Sequence, residues 1–178
     1  MKATLGSILV VLCALPLASG ASAQNPVTNG FRSITERQSK NIIAAAEEMP
    51  ADKYDYKPTP AQMSFGDVVA HLIREGNNYL CSAASGVKEP ETGKFAGTDP
   101  KDKLVAGLKD SFKFCETAAA ELQDAQLGDS TDFFGGRKAT RATAVLITIA
   151  DWADHYSQMA IYLRLNGLLP PTAKRRTE

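Results

Sequence analysis

The pattern of apolar positions is clearest near the C-terminal end of the chain, in DWADHYSQMAIYLRLNG, Asp151 to Gly167, where hydrophobic residues recur at helical spacing. An α-helix turns by about 100° per residue, so five side chains with polar groups fall within about 60° of one line along the predicted helix. They are Thr148, Asp151, His155, Gln158 and Tyr162. Apolar residues flank this line on both sides, with Val145, Trp152, Met159 and Leu163 on one side and Ile147, Ile161 and Leu165 on the other. We therefore expect the polar line to face the protein core and not water.

Four segments of the chain have helical periodicity and recognisable start and stop residues. Ser64 and Asp67 resemble a capping box at the start of the second segment. Pro100 fits the start of the third, and Gly86 and Gly167 fit the ends of the second and fourth. The predicted helices extend from about 30 to 49, from 64 to 86, from 100 to 124 and from 139 to 166.

No segment alternates between apolar and polar residues over a sustained length, so the sequence predicts no strands. The connections 87–98 and 129–140, the latter with the sequence DSTDFFGGRKAT, are predicted to be loops. Four helices that each bury one stripe around a shared core favour an all-α four-helix bundle. The length of the chain suits one such domain over residues 24–178.

Residues 1–23 have the features of a secretory signal peptide: Lys2, an apolar run and a small-residue ending at Ala21 to Ala23. The apolar run extends from Leu9 to Leu17. A membrane span requires roughly 20 residues, so this run is too short to be one. We expect an exported, periplasmic or secreted protein with no stable membrane association after cleavage. The remaining chain has one more acidic than basic side chain, which predicts no nucleic-acid partner.

The polar line contains a candidate metal site. Asp151 and His155 stand four positions apart, so that both side chains can reach one point beside the helix. His71 is the only other histidine, with Glu75 one turn after it as a possible fourth group. A carboxylate and two imidazoles suit a first-row divalent ion. Alternatively, Asp151 and His155 form a buried hydrogen-bonded pair, while His71, at the margin of its apolar arc, is half-exposed.

Two stretches resemble the DinB/YfiT-like superfamily of four-helix bundles, and in particular its exported members. They are MPADKYDYKPTPAQMSFGDVVAHLIREGNNYLCSA and DHYSQMAIYLRLNGLLPP. The resemblance implies a metal held by one histidine of the second helix and an H-x-x-x-H pair of the last, which correspond to His71, Asp151 and His155. Asp151 departs from this pattern because it stands in place of the first histidine. Zinc, nickel and iron are not distinguished, and a homodimer is possible because homodimers are frequent in this superfamily.

If the site forms, ring nitrogens of His71 and His155 should lie within about 5 Å of each other, with an Asp151 oxygen comparably close. Gln158 or Tyr162 would then form hydrogen bonds to the ligand residues without contacting the metal. His71 turned to solvent, or Asp151 paired with an arginine away from His155, would contradict a working site.

The resemblance implies a thiol-dependent activity on an unidentified small molecule, and an open metal position allows a second class of activity. Similar proteins are thiol-dependent transferases and isomerases, in which a metal activates the thiolate of a small cofactor. Export would bring this chain to a compartment poor in reduced thiols. A metal-dependent hydrolase needs only an open coordination position. The alternative is a non-catalytic exported stress or binding protein with a degenerate metal site.

Cys81 and Cys115 are the only cysteines outside the signal segment. An even number of cysteines in an oxidising compartment favours a disulfide, and two buried free thiols are the alternative. Antiparallel packing of the second and third helices would put Cys81 near the start of the third helix and Cys115 about halfway along it. That arrangement would not bring the two sulfur atoms together.

Overall fold

Four long helices form the bundle in the computed structural model, which describes residues 24–174. The helices are α1 (Pro26–Glu48), α2, α3 (Lys101–Glu121) and α4 (Arg141–Leu165), followed by the short α5 (Pro171–Lys174). Helix α2 consists of three segments that follow without a break, the α-helical Phe65–His71, the π-helical Leu72–Tyr79 and the α-helical Leu80–Ser85. The predicted all-α four-helix bundle is confirmed. No helix within residues 24–174 is long and apolar enough to cross a membrane. The predicted signal peptide lies outside these residues.

Local capping signals set both ends of α2, as predicted. The Ser64 hydroxyl accepts a hydrogen bond from the Asp67 backbone N–H at 3.0 Å, and the Asp67 carboxylate accepts one from the Ser64 N–H at 3.1 Å. Gly86 closes the helix in a left-handed conformation, with φ of 77°, which glycine adopts without steric cost.

Helix α1 begins at Pro26, about one turn earlier than the pattern predicts. The Asp124 carboxylate accepts hydrogen bonds from the backbone N–H groups of Val27 and Thr28, at 3.1 and 2.8 Å. These are groups that the first turn of a helix cannot satisfy by itself. The capping residue is almost a hundred positions away in sequence, so local pattern could not reveal it.

Helices α2 and α3 run parallel, which corrects the antiparallel arrangement assumed for them. Contacting residues of the two helices keep a constant separation of 34 positions: Asn77 donates a hydrogen bond to Ser111, and Cys81 is bonded to Cys115. A parallel pair needs a long return connection, and residues 87–100 provide it by returning to the start of α2, where Gly97 lies against Gly66.

The predicted disulfide between Cys81 and Cys115 is present, with the two Cα atoms 5.3 Å apart. Both residues are buried. The apparent mismatch along the helices arose only from the antiparallel assumption, because in the parallel arrangement both cysteines lie towards the same end of the bundle.

Helices α1 and α4 run opposite to α2 and α3. Near the start of α1, the Arg32 guanidinium donates to the Leu122 carbonyl just after α3 at 2.6 Å. At the other end of the bundle, Lys101 at the start of α3 donates to the Met49 carbonyl at 2.8 Å. The Tyr162 hydroxyl near the end of α4 donates to the carbonyl of Met63, just before α2. In chain order, the four long helices therefore run up, down, down and up.

The core is centred on Trp152 of α4. Its ring stacks on Phe31 at 5.9 Å between centroids and lies 5.7 Å from the Phe112 ring. The indole N–H donates to the Asn77 side-chain oxygen at 2.7 Å, and the Asn77 amide donates to the Ser111 hydroxyl at 2.8 Å. This buried chain of hydrogen bonds connects three helices.

Only one of the two apolar flanks predicted on α4 faces this core. Val145, Trp152, Met159 and Leu163 are buried. The other flank lies on the surface, with Ile147 41%, Ile161 52% and Leu165 58% exposed. A helix buries one stripe, and the stripe here is centred on Trp152 and not on the polar line.

Residues 129–140, predicted to be a loop, contain a β-hairpin. Strands β1 (Ser130–Phe133) and β2 (Arg137–Thr140) pair antiparallel, with Ser130 opposite Thr140 and Phe133 opposite Arg137. Gly135 and Gly136 both have positive φ, at 68° and 71°. These backbone angles let the chain reverse within a tight turn. Strands of four residues are too short for an alternation signal, so the pattern did not predict them.

Replacing Asn77 with alanine should lower the free energy of unfolding by about 1 to 3 kcal/mol, because it leaves the buried Trp152 N–H without an acceptor. Urea denaturation would measure the change. The matched control is Ser157→Ala on the exposed face of α4, whose effect should stay within about 0.5 kcal/mol. Equal stabilities for the two variants would contradict a structural role for the Asn77 hydrogen bonds.

Candidate metal centre

The three predicted ligand residues meet between α2 and α4. His71 ends the first α-helical segment of α2, and Asp151 and His155 lie one turn apart on α4. One ligand atom from each residue lies within 4.8 Å of the others. The predicted proximity of the two rings and the carboxylate is therefore confirmed. We call His71, Asp151 and His155 the triad.

Asp151 lies between the two histidines. Its Oδ1 atom is 3.2 Å from His71 Nε2 and 3.5 Å from His155 Nδ1. The two imidazole rings stack, with centroids 4.5 Å apart and planes inclined by 20°. The exposed fractions of the three side chains are 26% for His71, 16% for Asp151 and 10% for His155. His71 is therefore turned towards α4 and not towards solvent.

The tautomer of His155 follows from its backbone contact. Its Nδ1 atom lies 2.8 Å from the Asp151 carbonyl oxygen. A carbonyl oxygen can only accept a hydrogen bond. We therefore assign the proton of neutral His155 to Nδ1, from the hydrogen-bond network. This leaves the Nε2 lone pair free for a ligand role, as in metal sites where the second ring nitrogen is held by a backbone carbonyl.

One oxygen of the triad has no hydrogen bond. Asp151 Oδ2 is buried without a hydrogen-bond partner within the described residues. It faces Gly76 of α2, where an added Cβ would lie only 2.5 Å from this oxygen. A buried carboxylate oxygen without donors is unfavourable, and a cation would satisfy it. Together with two imidazoles, this donor set fits a first-row divalent ion.

The π-helical segment begins directly after His71, at Leu72. Each i→i+5 turn takes in one more residue than an α-turn, so the segment changes the phase between the two halves of α2. On a uniform α-helix, His71 falls at the margin of the apolar arc. The phase change accounts for its turn towards α4, and it was missed because no local residue pattern predicts π-helix.

Glu75, predicted as a possible fourth group, is not part of the triad. Its Oε2 atom is 3.4 Å from His71 Nδ1, the ring nitrogen opposite the one that faces Asp151. The same oxygen is 3.5 Å from the Arg74 guanidinium. Glu75 is thus placed to orient the His71 ring from outside, in the manner of carboxylates that hold metal-binding histidines.

The two predicted supporting residues on α4, Gln158 and Tyr162, do not contact the triad. The Gln158 amide donates to the Asp154 carboxylate at 2.9 Å, and the Tyr162 hydroxyl donates to the Met63 carbonyl at 3.0 Å. A polar line of about 15 residues along a helix is roughly 20 Å long, and only its middle lies opposite His71. The prediction was therefore wrong for both residues.

Two cavities lie near α2. One of about 600 Å³ is lined by Glu75 together with Arg74, Tyr79, Phe133 and Phe134. A slightly larger one of about 670 Å³, lined by Tyr54, Asp67 and Asp99 among others, lies at the start of α2 and contains no residue of the triad. The smaller cavity contains no residue of the triad either, but Glu75 in its lining lies beside the His71 ring.

The hydrogen bond with Asp151 raises the pKa of His71 above its usual value; partial burial opposes this shift, and the charge of Glu75 adds to it. The His71–Asp151 pair therefore contributes its full stabilisation below the pKa that His71 has in the unfolded chain, about 6.5. It is lost as pH rises through the raised pKa of the folded chain.

Metal-free wild-type protein should accordingly have a higher free energy of unfolding than metal-free His71→Gln. This difference should be larger at about pH 5.5 than at about pH 9. The expected change in this difference is up to about 1 kcal/mol, the upper range for partly exposed ion pairs. Urea denaturation in the presence of a chelator would measure it. A difference that does not vary with pH would contradict the pairing of His71 with Asp151.

Comparisons with known proteins agree with this architecture. The sequence profile of the DinB superfamily matches residues 34–159. No curated protein sequence matches the chain. A DinB-like protein from Bacillus cereus ATCC 10987 has a similar structure, with a TM-score of 0.66 at 18% identity over 80% of this chain and 95% of that one.

Two further solved structures are similar. A DinB-like protein from Bacillus subtilis has a TM-score of 0.63 at 21% identity, over 78% of this chain and 93% of that one. A variant of the mycothiol-dependent maleylpyruvate isomerase has a TM-score of 0.59 at 9% identity, over 74% of this chain and 60% of that one. At these identities the likeness shows a shared fold.

Proposed function

The chain belongs to the DinB superfamily, and from this premise we propose that it binds a divalent metal ion through the triad and acts on a small molecule. The observation that carries the proposal is the buried Asp151 oxygen without a hydrogen bond, in a carboxylate that lies between two histidines. A bound cation would offset the free-energy cost of burying that oxygen without a hydrogen bond, and it would draw the three ligand atoms closer together.

The donor set limits the identity of the ion. Two imidazoles and a carboxylate are used by zinc hydrolases and by non-haem iron enzymes, and nickel also accepts imidazole. Aspartate in place of a histidine makes the site more anionic than the H-x-x-x-H pattern of similar proteins. When bound, the ion would supply a Lewis acid with coordination positions open to the small molecule.

The surrounding residues orient the ligands. The Asp151 backbone carbonyl holds His155 through Nδ1, and Glu75 lies beside Nδ1 of His71. Both contacts leave the Nε2 atoms for the ion. Such contacts outside the ligand set hold ring orientation and raise ligand basicity. With only three protein groups, the triad leaves room for a substrate atom.

We favour hydrolysis over thiol-dependent transfer as the reaction class. The similar isomerase depends on mycothiol, which supports the thiol class. The Cys81–Cys115 disulfide and the signal-like residues 1–23 support export to an oxidising compartment. Reduced thiol cofactors are scarce there. Within the described residues the triad is the cluster that could hold a metal ion, and such an ion would activate a bound water as a nucleophile.

Metal analysis of protein purified from an exported fraction, without added metal, tests this function. We expect close to one zinc, nickel or iron ion per chain, together with cleavage after Ala23 in the intact mass. Metal-free protein that also fails to take up any of the three ions in solution would contradict the proposal. The bundle would then be a non-catalytic stress or binding protein with a degenerate site.

A further inference from the structure

Three aromatic rings form one wall of the cavity that Glu75 lines. Tyr79 comes from the end of the π-helical segment, and Phe133 and Phe134 come from the turn of the hairpin. The Tyr79 and Phe134 centroids are 4.4 Å apart, and those of Phe133 and Phe134 are 5.0 Å apart. We call Tyr79, Phe133 and Phe134, with the cavity they line, the aromatic pocket.

The aromatic pocket is connected to the triad through Glu75. This residue lines the cavity, and its Oε2 atom lies 3.4 Å from the His71 ring. Tyr79 is four positions further along α2, on the same side of the helix. The volume of about 600 Å³ is within the range of sites that bind small organic molecules. The aromatic pocket therefore ends at Glu75, on the Nδ1 side of the His71 ring, and no residue of the triad lines it.

The fold does not bury all three rings. Phe134 is exposed although it is apolar, and it directly precedes the two glycines with positive φ. An exposed ring stacked on a second ring beside a cavity presents a flat apolar surface.

Carboxylates outnumber basic groups in the lining of the pocket. Glu75, Glu89 and Asp132 line it, against the single guanidinium of Arg74. Arg74 is itself paired with Glu75, and Asp132 is paired with Lys138 just outside the lining. Burial raises the pKa of the Tyr79 hydroxyl, and the charges of Asp132 and Glu89 add to the shift. The pocket therefore disfavours an anion.

We propose that the aromatic pocket binds a flat, apolar, uncharged or cationic part of the substrate while a polar group of the same molecule reaches the triad. This inference rests on the proposed function, because it assigns the substrate class of the same site. It predicts aromatic or comparable flat substrates with a neutral or amine-bearing distal end, and weaker binding of substrates with an acidic distal end.

A pair of hydroxamic acids tests the aromatic contact in zinc-loaded protein. Acetohydroxamate and benzohydroxamate have the same metal-binding group, and only the second has a ring. Calorimetry should show at least about tenfold tighter binding of benzohydroxamate to the wild type, from burial of one ring. In Phe134→Ala this ratio should fall to about twofold or less, with the affinity for acetohydroxamate unchanged.

Phe114→Ala is the matched control, since this phenylalanine lies on α3 outside the pocket. It should keep the wild-type ratio. A wild-type ratio near one, or a ratio that survives Phe134→Ala, would overturn the inference.

The charge preference has its own test. Benzohydroxamate with a para aminomethyl group should bind at least about threefold tighter than the para carboxylate, and Glu89→Gln should reduce this preference. Equal binding, or tighter binding of the carboxylate, would overturn the charge assignment.

A last measurement separates failure of the pocket from failure of the metal site. Benzylamine added to metal-free protein should shift the backbone amide NMR signals of Tyr79, Phe133 and Phe134, and Phe134→Ala should abolish the shifts. If the shifts occur but neither hydroxamate binds in the presence of zinc, the proposed function fails and the pocket is supported. If no shifts occur, the pocket is refuted whatever the hydroxamates do.

Discussion

Asp151→Asn should lower the affinity for zinc, nickel or iron by more than about 100-fold. Loss of a group outside the ligand set already costs about 10- to 100-fold in metal affinity, and Asp151 is a proposed ligand that lies between the two histidines. Asparagine keeps the size of the side chain but removes its charge. Competition with a chromophoric chelator would measure the affinity of wild type and variant.

Asp154→Asn is the control for this change. Asp154 lies three residues further along α4, is exposed and pairs with Gln158. Removing its charge should leave the metal affinity within about twofold of the wild type. Equal losses in both variants would point to a general effect of helix charge and would contradict ligation by Asp151.

The same asparagine substitution should not destabilise the metal-free protein at about pH 9, where His71 is neutral and its pairing with Asp151 no longer adds stability. In the absence of an ion, Asp151 Oδ2 is a buried oxygen without a hydrogen bond, and an amide costs less to bury than a charged carboxylate. Sites that serve function at the expense of stability behave in this way. Added metal should then raise the melting temperature of the wild type and not that of the variant.

Removal of the disulfide should have the largest effect on stability. Replacing both Cys81 and Cys115 with alanine should lower the free energy of unfolding by about 3 to 4 kcal/mol. The reason is that the bond joins residues 34 positions apart and so closes a loop in the unfolded chain. For a domain of this size the melting temperature should fall by roughly 10 °C. Urea and thermal denaturation would measure both quantities.

Reductant provides the internal control for the disulfide. It should destabilise the wild type to a similar degree and leave the double alanine variant unchanged. Titration of unreduced, denatured wild-type protein should find no free thiol. Two free thiols, with no response to reductant, would show that the bond does not form in the protein as purified.

Much of α2 could be predicted from the sequence because its signals are local. The Ser64–Asp67 capping box and Gly86 act within a few residues, so their identity alone sets the helix ends. The relation of α2 to α3 was not local. It depends on where residues 87–100 lead the chain, and a loop of that length permits both parallel and antiparallel returns.

The triad could be predicted for two reasons. The i, i+4 spacing put Asp151 and His155 on one side of α4, and the family resemblance supplied His71, which periodicity left at the margin. The roles around the triad could not be read from spacing. Tyr162 shares a line with Asp151, yet it contacts Met63, because contacts depend on what lies opposite each turn. Glu75, predicted as a possible fourth group, lies beside Nδ1 of the His71 ring.

The π-helical segment takes in one more residue than the same number of turns of α-helix would. Deletion of a single residue between Leu72 and Tyr79 should therefore restore ordinary α-helix while the two halves of α2 keep nearly the same relative rotation, and His71 should stay beside Asp151. Conversion of the segment to α-helix with all its residues kept would instead rotate one half by about 100° relative to the other. Because the disulfide holds Cys81 against α3, that rotation would fall on the upstream half and would carry His71 away from Asp151. Relatives with a working site should therefore tolerate a gap of one residue in this segment of a sequence alignment.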